Sequence, residues 1–171
     1  RTLTAADTAV MLIANPKGVE GQTKKLFAVC RQRGIPIVTF VNKMDQPGKG
    51  PLDLLQEIED VLGIRSTPVN WPIGQGDRFR GVVDLATKTV FLFQRTAHGS
   101  EKAIEETCTL DDLVGKIPDD EVETLLEELD LVEVAGEAYD AEKVARGELT
   151  PVFFGSAITN FGVGPFLDKF I

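Results

Sequence analysis

The 171 residues include 18 Lys or Arg and 27 Asp or Glu, a formal net charge of -9, with 43% hydrophobic and 26% charged residues. That balance suits one or two globular domains with a sizeable core and excludes a disordered chain. No apolar run approaches the ~18 residues a membrane span needs, and neither Cys30 nor Cys108 falls in a metal-binding spacing, so reduced thiols and a cytoplasmic setting are expected.

Arg1 to Ala6 reads as the end of a helix or loop. A strand follows at Thr8–Ala14, where Ala-Val-Met-Leu-Ile runs unbroken, and Asn15-Pro16-Lys17-Gly18 makes a turn. The spacing of Leu26, Val29 and Cys30 predicts a helix over Glu20–Arg33, stopped by Gly34. Ile35–Val41 is a second continuously apolar strand. Two such strands around one helix indicate a parallel sheet covered on both faces.

Pro51 suits the first turn of a helix running to Leu62 and ending at Gly63. From Thr67 the pattern shifts to short strands at Val69–Ile73, Gly81–Leu85 and Thr89–Phe93, the last two joined by Ala86-Thr87-Lys88. His98, the one histidine, stands in a polar turn and reads as a solvated loop residue. Helices are predicted at Asp111–Val114, Asp119–Val134 and Ala141–Ala145. A strand at Thr150–Phe154 and a final helix from about Gly164 complete the chain. The reading is therefore one α/β sheet unit, residues 1–64 and 148–171, interrupted by an α+β insertion at 65–147.

Chemistry concentrates where the apolar strand 35–41 ends. Ligands of open α/β sheets bind beyond the carboxyl ends of the strands, and there stand Asn42, Lys43 and Asp45. A carboxylate at Asp45 can accept from both N1–H and the 2-amino group of guanine. Adenine offers neither donor, and a site built on such a bond rejects the analogue lacking it by roughly 10⁴-fold. Asn42 is expected to hold N7 or to tie two loops together, and Lys43 to lay its aliphatic stem along the base face. Gly155-Ser156-Ala157 ends the next strand. Ser156 is expected to position its loop, the Ala157 N–H to donate to guanine O6, and the Ala157–Ile158 backbone to close over the base.

No Gly-x-x-x-x-Gly-Lys-[Ser/Thr] phosphate loop occurs in the sequence. Asp-x-x-Gly occurs at Asp45–Gly48, Asp60–Gly63 and Asp112–Gly115, none of which reads as a γ-phosphate switch. Gly74-Gln75-Gly76 reads as a turn.

Together these motifs resemble the translational GTPases of the elongation factor G type. Phe40 to Asp45, Arg80-Gly81-Val82-Val83-Asp84-Leu85 and Gly155-Ser156-Ala157 carry that likeness. Arg1 to Asp7, Lys17-Gly18-Val19-Glu20, Trp71-Pro72-Ile73-Gly74, Thr150 to Ala157 and Asn160-Phe161-Gly162-Val163 are most similar to the bacterial class II peptide-chain release factors. Ala14-Asn15-Pro16 departs locally, where an Asp-Ala-Ala-like stretch is expected. The resemblance implies a fragment of a P-loop-GTPase-like G domain, whose phosphate loop and switches precede Arg1 and whose further domains follow Ile171.

It further implies that the intact protein binds GTP and GDP with Mg²⁺, acts on the ribosome, promotes departure of the decoding release factor and hydrolyses GTP. The 171 residues alone are expected to be catalytically inactive. By the same resemblance the strands at 8–14, 35–41 and 150–154 are expected side by side, an α/β half-sheet of three contiguous parallel strands. Their other neighbours all fall on one side, so that Thr8–Ala14 is expected to be a free edge that invites self-association. An elongation factor G-type translocase, or a non-catalytic interaction module on the ribosome, are the alternatives.

Acidity is local. Residues 101–142 hold 16 of the acidic side chains and two of the basic ones. A solvated surface is the plain reading of this patch. By resemblance, docking to the ribosomal stalk is the other, with Glu121, Glu123, Glu127, Glu128 and Asp130 steering association.

Overall fold

The computed structural model describes residues 7–94, 104–158, 161–164 and 166. The Arg1–Ala6 segment, His98, Asn160 and most of the expected final helix lie outside them.

Strands β1 (Ala9–Ala14) and β2 (Ile37–Asn42) flank helix α1 (Gly21–Gln32), the expected β-α-β unit. Beyond α1 the chain turns at Gly34, whose φ of +66° is open to a residue without Cβ. β2 pairs in parallel with β1 on one side and with β8 (Leu149–Phe154) on the other. The registers set Ala14 beside Asn42 and Val41 beside Phe154. Three carboxyl ends are thus level, and the loops that begin at Asn15, Lys43 and Gly155 meet at one rim.

The parallel sheet has four strands, not the three expected. β3 (Arg65–Pro68) pairs in parallel with the far side of β8, giving the order β1-β2-β8-β3. Arg-Ser-Thr-Pro carries no apolar run, which is why the sequence places it in the insertion. Its strand is held instead by helix α2 (Pro51–Leu62), whose Glu59 carboxylate accepts from the Ser66 N–H at 2.9 Å and hydroxyl at 3.0 Å.

A second, antiparallel sheet follows in chain order: β4 (Asn70–Ile73), β5 (Gly81–Asp84), β6 (Val90–Gln94) and β7 (Ile104–Cys108). The first three match the expected strands, while β7 departs from expectation because Ile-Glu-Glu-Thr-Cys lacks apolar alternation. Helices α3 (Asp119–Ala135) and α4 (Ala141–Ala145) form as predicted. Asp111–Leu113 makes only a 3-10 turn.

The two sheets share one hydrophobic core that includes Ile13, Val41, Met44, Leu54, Trp71, Val82 and Phe154. Asn70 stitches them together. Its carboxamide accepts from the Phe154 N–H at 2.7 Å and donates to the Phe154 carbonyl at 3.1 Å, so a side chain completes the β8 ladder. Trp71, fully buried, meets the Phe154 ring edge-on at 5.5 Å between centroids. On the opposite face of the parallel sheet Val38, Phe40 and Phe153 pack with Phe166.

Candidate functional site

At the level ends of β1, β2 and β8, main-chain hydrogen bonds zip three loops into one surface. Gly155 N–H donates to the Val41 carbonyl at 3.0 Å, and Met44 N–H donates to the Gly155 carbonyl at 3.1 Å. The Asn15 N–H donates to the Asn42 carbonyl at 2.8 Å. Gly155 has no room for a side chain: a Cβ there would lie 2.6 Å from the Phe161 carbonyl oxygen and 2.9 Å from the Phe40 ring. The Gly-Ser-Ala turn therefore requires its glycine for close approach.

Asn42 sits at the centre of this arrangement. Its Oδ1 accepts from the Lys43 N–H at 2.8 Å and from the Ala157 N–H at 2.9 Å. Of its two expected roles, the one present is the bridge between loops. The same bond engages the Ala157 N–H that is expected to face guanine O6. Lys43 follows in the left-handed region, φ +66°, uncommon for a residue with a Cβ, and its side chain is exposed.

Asp45 is half-buried. Its Oδ1 is shielded from solvent and has no hydrogen-bond partner among the described residues. A buried acceptor without a donor carries a desolvation cost of about 1–3 kcal/mol, and a guanine N1–H or 2-amino group is the donor type that would remove it. The residues present thus fit a guanine. Ser156 is buried, with its N–H donating to the Phe161 carbonyl at 2.8 Å to close the loop. Ala157 and Ile158 are exposed at the rim.

Sequence reasoning missed two supports. The Met44 carbonyl accepts from the Gly76 N–H at 2.7 Å, so Gly74-Gln75-Gly76 is a brace for the base-reading loop as well as a turn. Asn15, fully buried, donates from Nδ2 to the Gln46 carbonyl at 3.1 Å. A polar residue directly beyond the carboxyl end of β1 was the available signal, the same one that singled out Asn42.

The five acidic residues expected to dock a partner do not share one environment. Glu121 receives Arg80 Nε at 2.5 Å and Nη2 at 3.1 Å, a bidentate pair that raises the Arg80 pKa further. Glu128 accepts from Trp71 Nε1 at 2.8 Å. Both face the second sheet. Glu123, Glu127 and Asp130 are exposed. Among the described residues no helix is long and apolar enough to cross a membrane, and no cluster of His, Cys, Asp or Glu could hold a metal ion.

Comparison with known proteins bears on the whole chain. A family model described as the elongation factor Tu GTP binding domain matches residues 1–171. Proteins named peptide chain release factor 3 are similar throughout. The one from Microcystis aeruginosa is 56% identical, over 100% of this chain and 32% of its own length. Those from Symbiobacterium thermophilum and Gloeobacter violaceus are 54% and 56% identical, each over 100% of this chain and 33% of their own length. The chain therefore spans about a third of these relatives. A crystal structure of a Thermus thermophilus protein shares the fold, with a TM-score of 0.68 at 23% identity over 98% of this chain and 26% of that one.

Proposed function

This chain belongs to the family of elongation factor Tu GTP-binding domains, and we propose that it is the guanine-reading part of a translation-termination GTPase. The observation that carries the reading is the rim itself. Asn42 locks the loops of β2 and β8 together while the buried Asp45 Oδ1 is left without a donor.

In this proposal Asp45 reads the base edge, Asn42 and Ser156 hold the loops, Lys43 covers a base face, and Ala157 and Ile158 close the site. The Ala157 N–H, shared with Asn42 Oδ1, becomes available to guanine O6 through a small shift of its loop. GTP and GDP are the ligands, with Mg²⁺ held by phosphate-binding elements of the intact protein. The relatives' name, peptide chain release factor 3, supports a role in translation termination and weighs against a translocase. Action on the ribosome in the cytoplasm, with GTP hydrolysis recycling a decoding release factor, completes the proposal. The 171 residues by themselves bind guanine only weakly and do not hydrolyse GTP, because placement and charge neutralisation of the phosphates provide nearly all of that catalysis.

The division into a GTPase half at 1–64 and 148–171 and an acidic insertion at 65–147 belongs to the same proposal, with Arg65–Pro68 lending its strand to the former. Docking of the ribosomal stalk falls to Glu123, Glu127 and Asp130, the exposed three of the five carboxylates. Self-association through β1 is supported by its position at the sheet edge, where Val10 and Leu12 are 40% and 62% exposed. Sedimentation at rising concentration tests it, and a constant monomer mass refutes it.

Calorimetric titration of the full-length protein with GDP, ADP and XDP tests the base assignment. GDP is expected to bind at least roughly 10³-fold more tightly than ADP. Equal binding of GDP and ADP would overturn the proposal.

A further inference from the structure

We infer that Asn15 is a positioning residue for base discrimination, acting through the main chain that follows Asp45. The inference rests on the guanine reading above. Asp45 is flanked by two carbonyls that are both tethered. The preceding one, of Met44, accepts from Gly76, and that of Gln46, one peptide beyond Asp45's own carbonyl, accepts from Asn15 Nδ2 at 3.1 Å. The Gly76 bond fixes the Met44–Asp45 peptide plane, and the Gln46 N–H, donating to the Lys43 carbonyl at 3.0 Å, fixes the Asp45–Gln46 plane. The Asn15 bond fixes the plane beyond it, Gln46–Pro47, closing the turn that carries the Asp45 carboxylate on its far side.

Asn15 is suited to hold that direction. It is fully buried, and its own N–H is bound to the Asn42 carbonyl at 2.8 Å, so its backbone is locked to β2. The amide is clasped by the loop it supports: a Cβ on Gly48 would lie 2.7 Å from Asn15 Cγ, Oδ1 and Nδ2. Its Oδ1 has no partner among the described residues, which leaves the Nδ2–Gln46 bond as the polar contact that orients the amide. The far end of the loop is tied separately, by Lys49 Nζ to Glu57 Oε2 at 2.6 Å. Removing the Asn15 amide therefore frees the Gln46–Pro47 peptide directly behind Asp45 while the distal end stays anchored.

Loss of direction at Asp45 has a signature that general loosening lacks. GDP offers Asp45 two donors, N1–H and the 2-amino group, whereas IDP offers N1–H alone. A well-aimed carboxylate favours GDP over IDP, and a misdirected one loses more with GDP than with IDP.

The experiment measures GDP and IDP dissociation constants of the full-length protein for wild type, Asn15→Ala and Gly48→Ala. The second variant perturbs the same contact from the loop side. Wild type is expected to prefer GDP by about tenfold or more, the factor for one charge-assisted hydrogen bond. In Asn15→Ala the GDP constant rises about tenfold while the IDP constant moves less than about threefold, so the preference collapses. Should Asn15→Ala not fold, Gly48→Ala decides on the same criterion. A preserved GDP/IDP ratio, whether both constants rise together or neither moves, overturns the role of Asn15 and leaves the base site standing. A wild type without GDP preference overturns the base site itself.

Discussion

Asn42 Oδ1 and the Ala157 nitrogen, 115 positions apart in the chain, are 2.9 Å from one another. One side-chain oxygen thereby couples the end of β2 to the loop after β8. Asn42→Ala frees the N–H groups of both Lys43 and Ala157. At about 0.5–1.5 kcal/mol for each bond, a loss of about 1–3 kcal/mol in unfolding free energy is expected, read by urea titration. GDP affinity falls with it. Asn42→Asp keeps the acceptor and retains most of the stability.

Asp45→Asn turns an acceptor pair into one donor and one acceptor. The amide can donate to the 2-oxo group of xanthine, so competition titration should show GDP weakened and XDP strengthened. Hydrogen bonds to a charged group contribute about 1.5–3 kcal/mol, which corresponds to about tenfold to 150-fold in affinity. Unchanged GDP preference would remove Asp45 from the base site.

Glu121 and Glu128 serve the scaffold, whereas Glu123, Glu127 and Asp130 face water. Truncating Glu121 or Glu128 to Ala is expected to destabilise by about 1–3 kcal/mol, since Arg80 and the buried Trp71 indole each lose a charged partner. Gln at the three outer positions should leave stability within about 0.5 kcal/mol. If this face docks a basic partner, the outer variants lose binding in a salt-dependent way. A stalk-domain binding assay with no such loss would retire the docking role.

Acid should loosen α4 first. The hydrogen bond from Lys143 Nζ holds the Glu137 carboxyl below its usual range, with Arg65 adding to it, and the Lys143 and Glu142 N–H groups do the same for Asp140 at the helix N-cap. A carboxyl whose pKa is depressed on folding contributes stability above its ordinary range and loses it as pH falls through the folded value. Protection factors for amide exchange in 140–147, taken relative to the intrinsic rate at each pH, should therefore fall as pH drops below about 4. Combining Glu137→Gln with Asp140→Asn should flatten that dependence.

What is legible in the sequence follows from burial. β2 is covered on both faces, so its residues form an uninterrupted apolar run and the polar group after it stands out. β3 is four residues held by Glu59 and by β8, and neither partner leaves a local trace in Arg-Ser-Thr-Pro. β7 pairs with β6 yet alternates poorly. The inward turn of Glu121 and Glu128 depends on Arg80 and Trp71, 41 and 57 positions away, and helical spacing alone cannot reveal such partners. Asn15 reads in the sequence as a local departure in a turn, because its effect passes through a carbonyl 31 positions on.

The bond from Gly76 to the Met44 carbonyl has a consequence for exchanging segments between relatives. A chimera that transplants the acidic module with the 74–76 turn would import part of the donor's purine selectivity. One spliced after Arg78 would keep the host's.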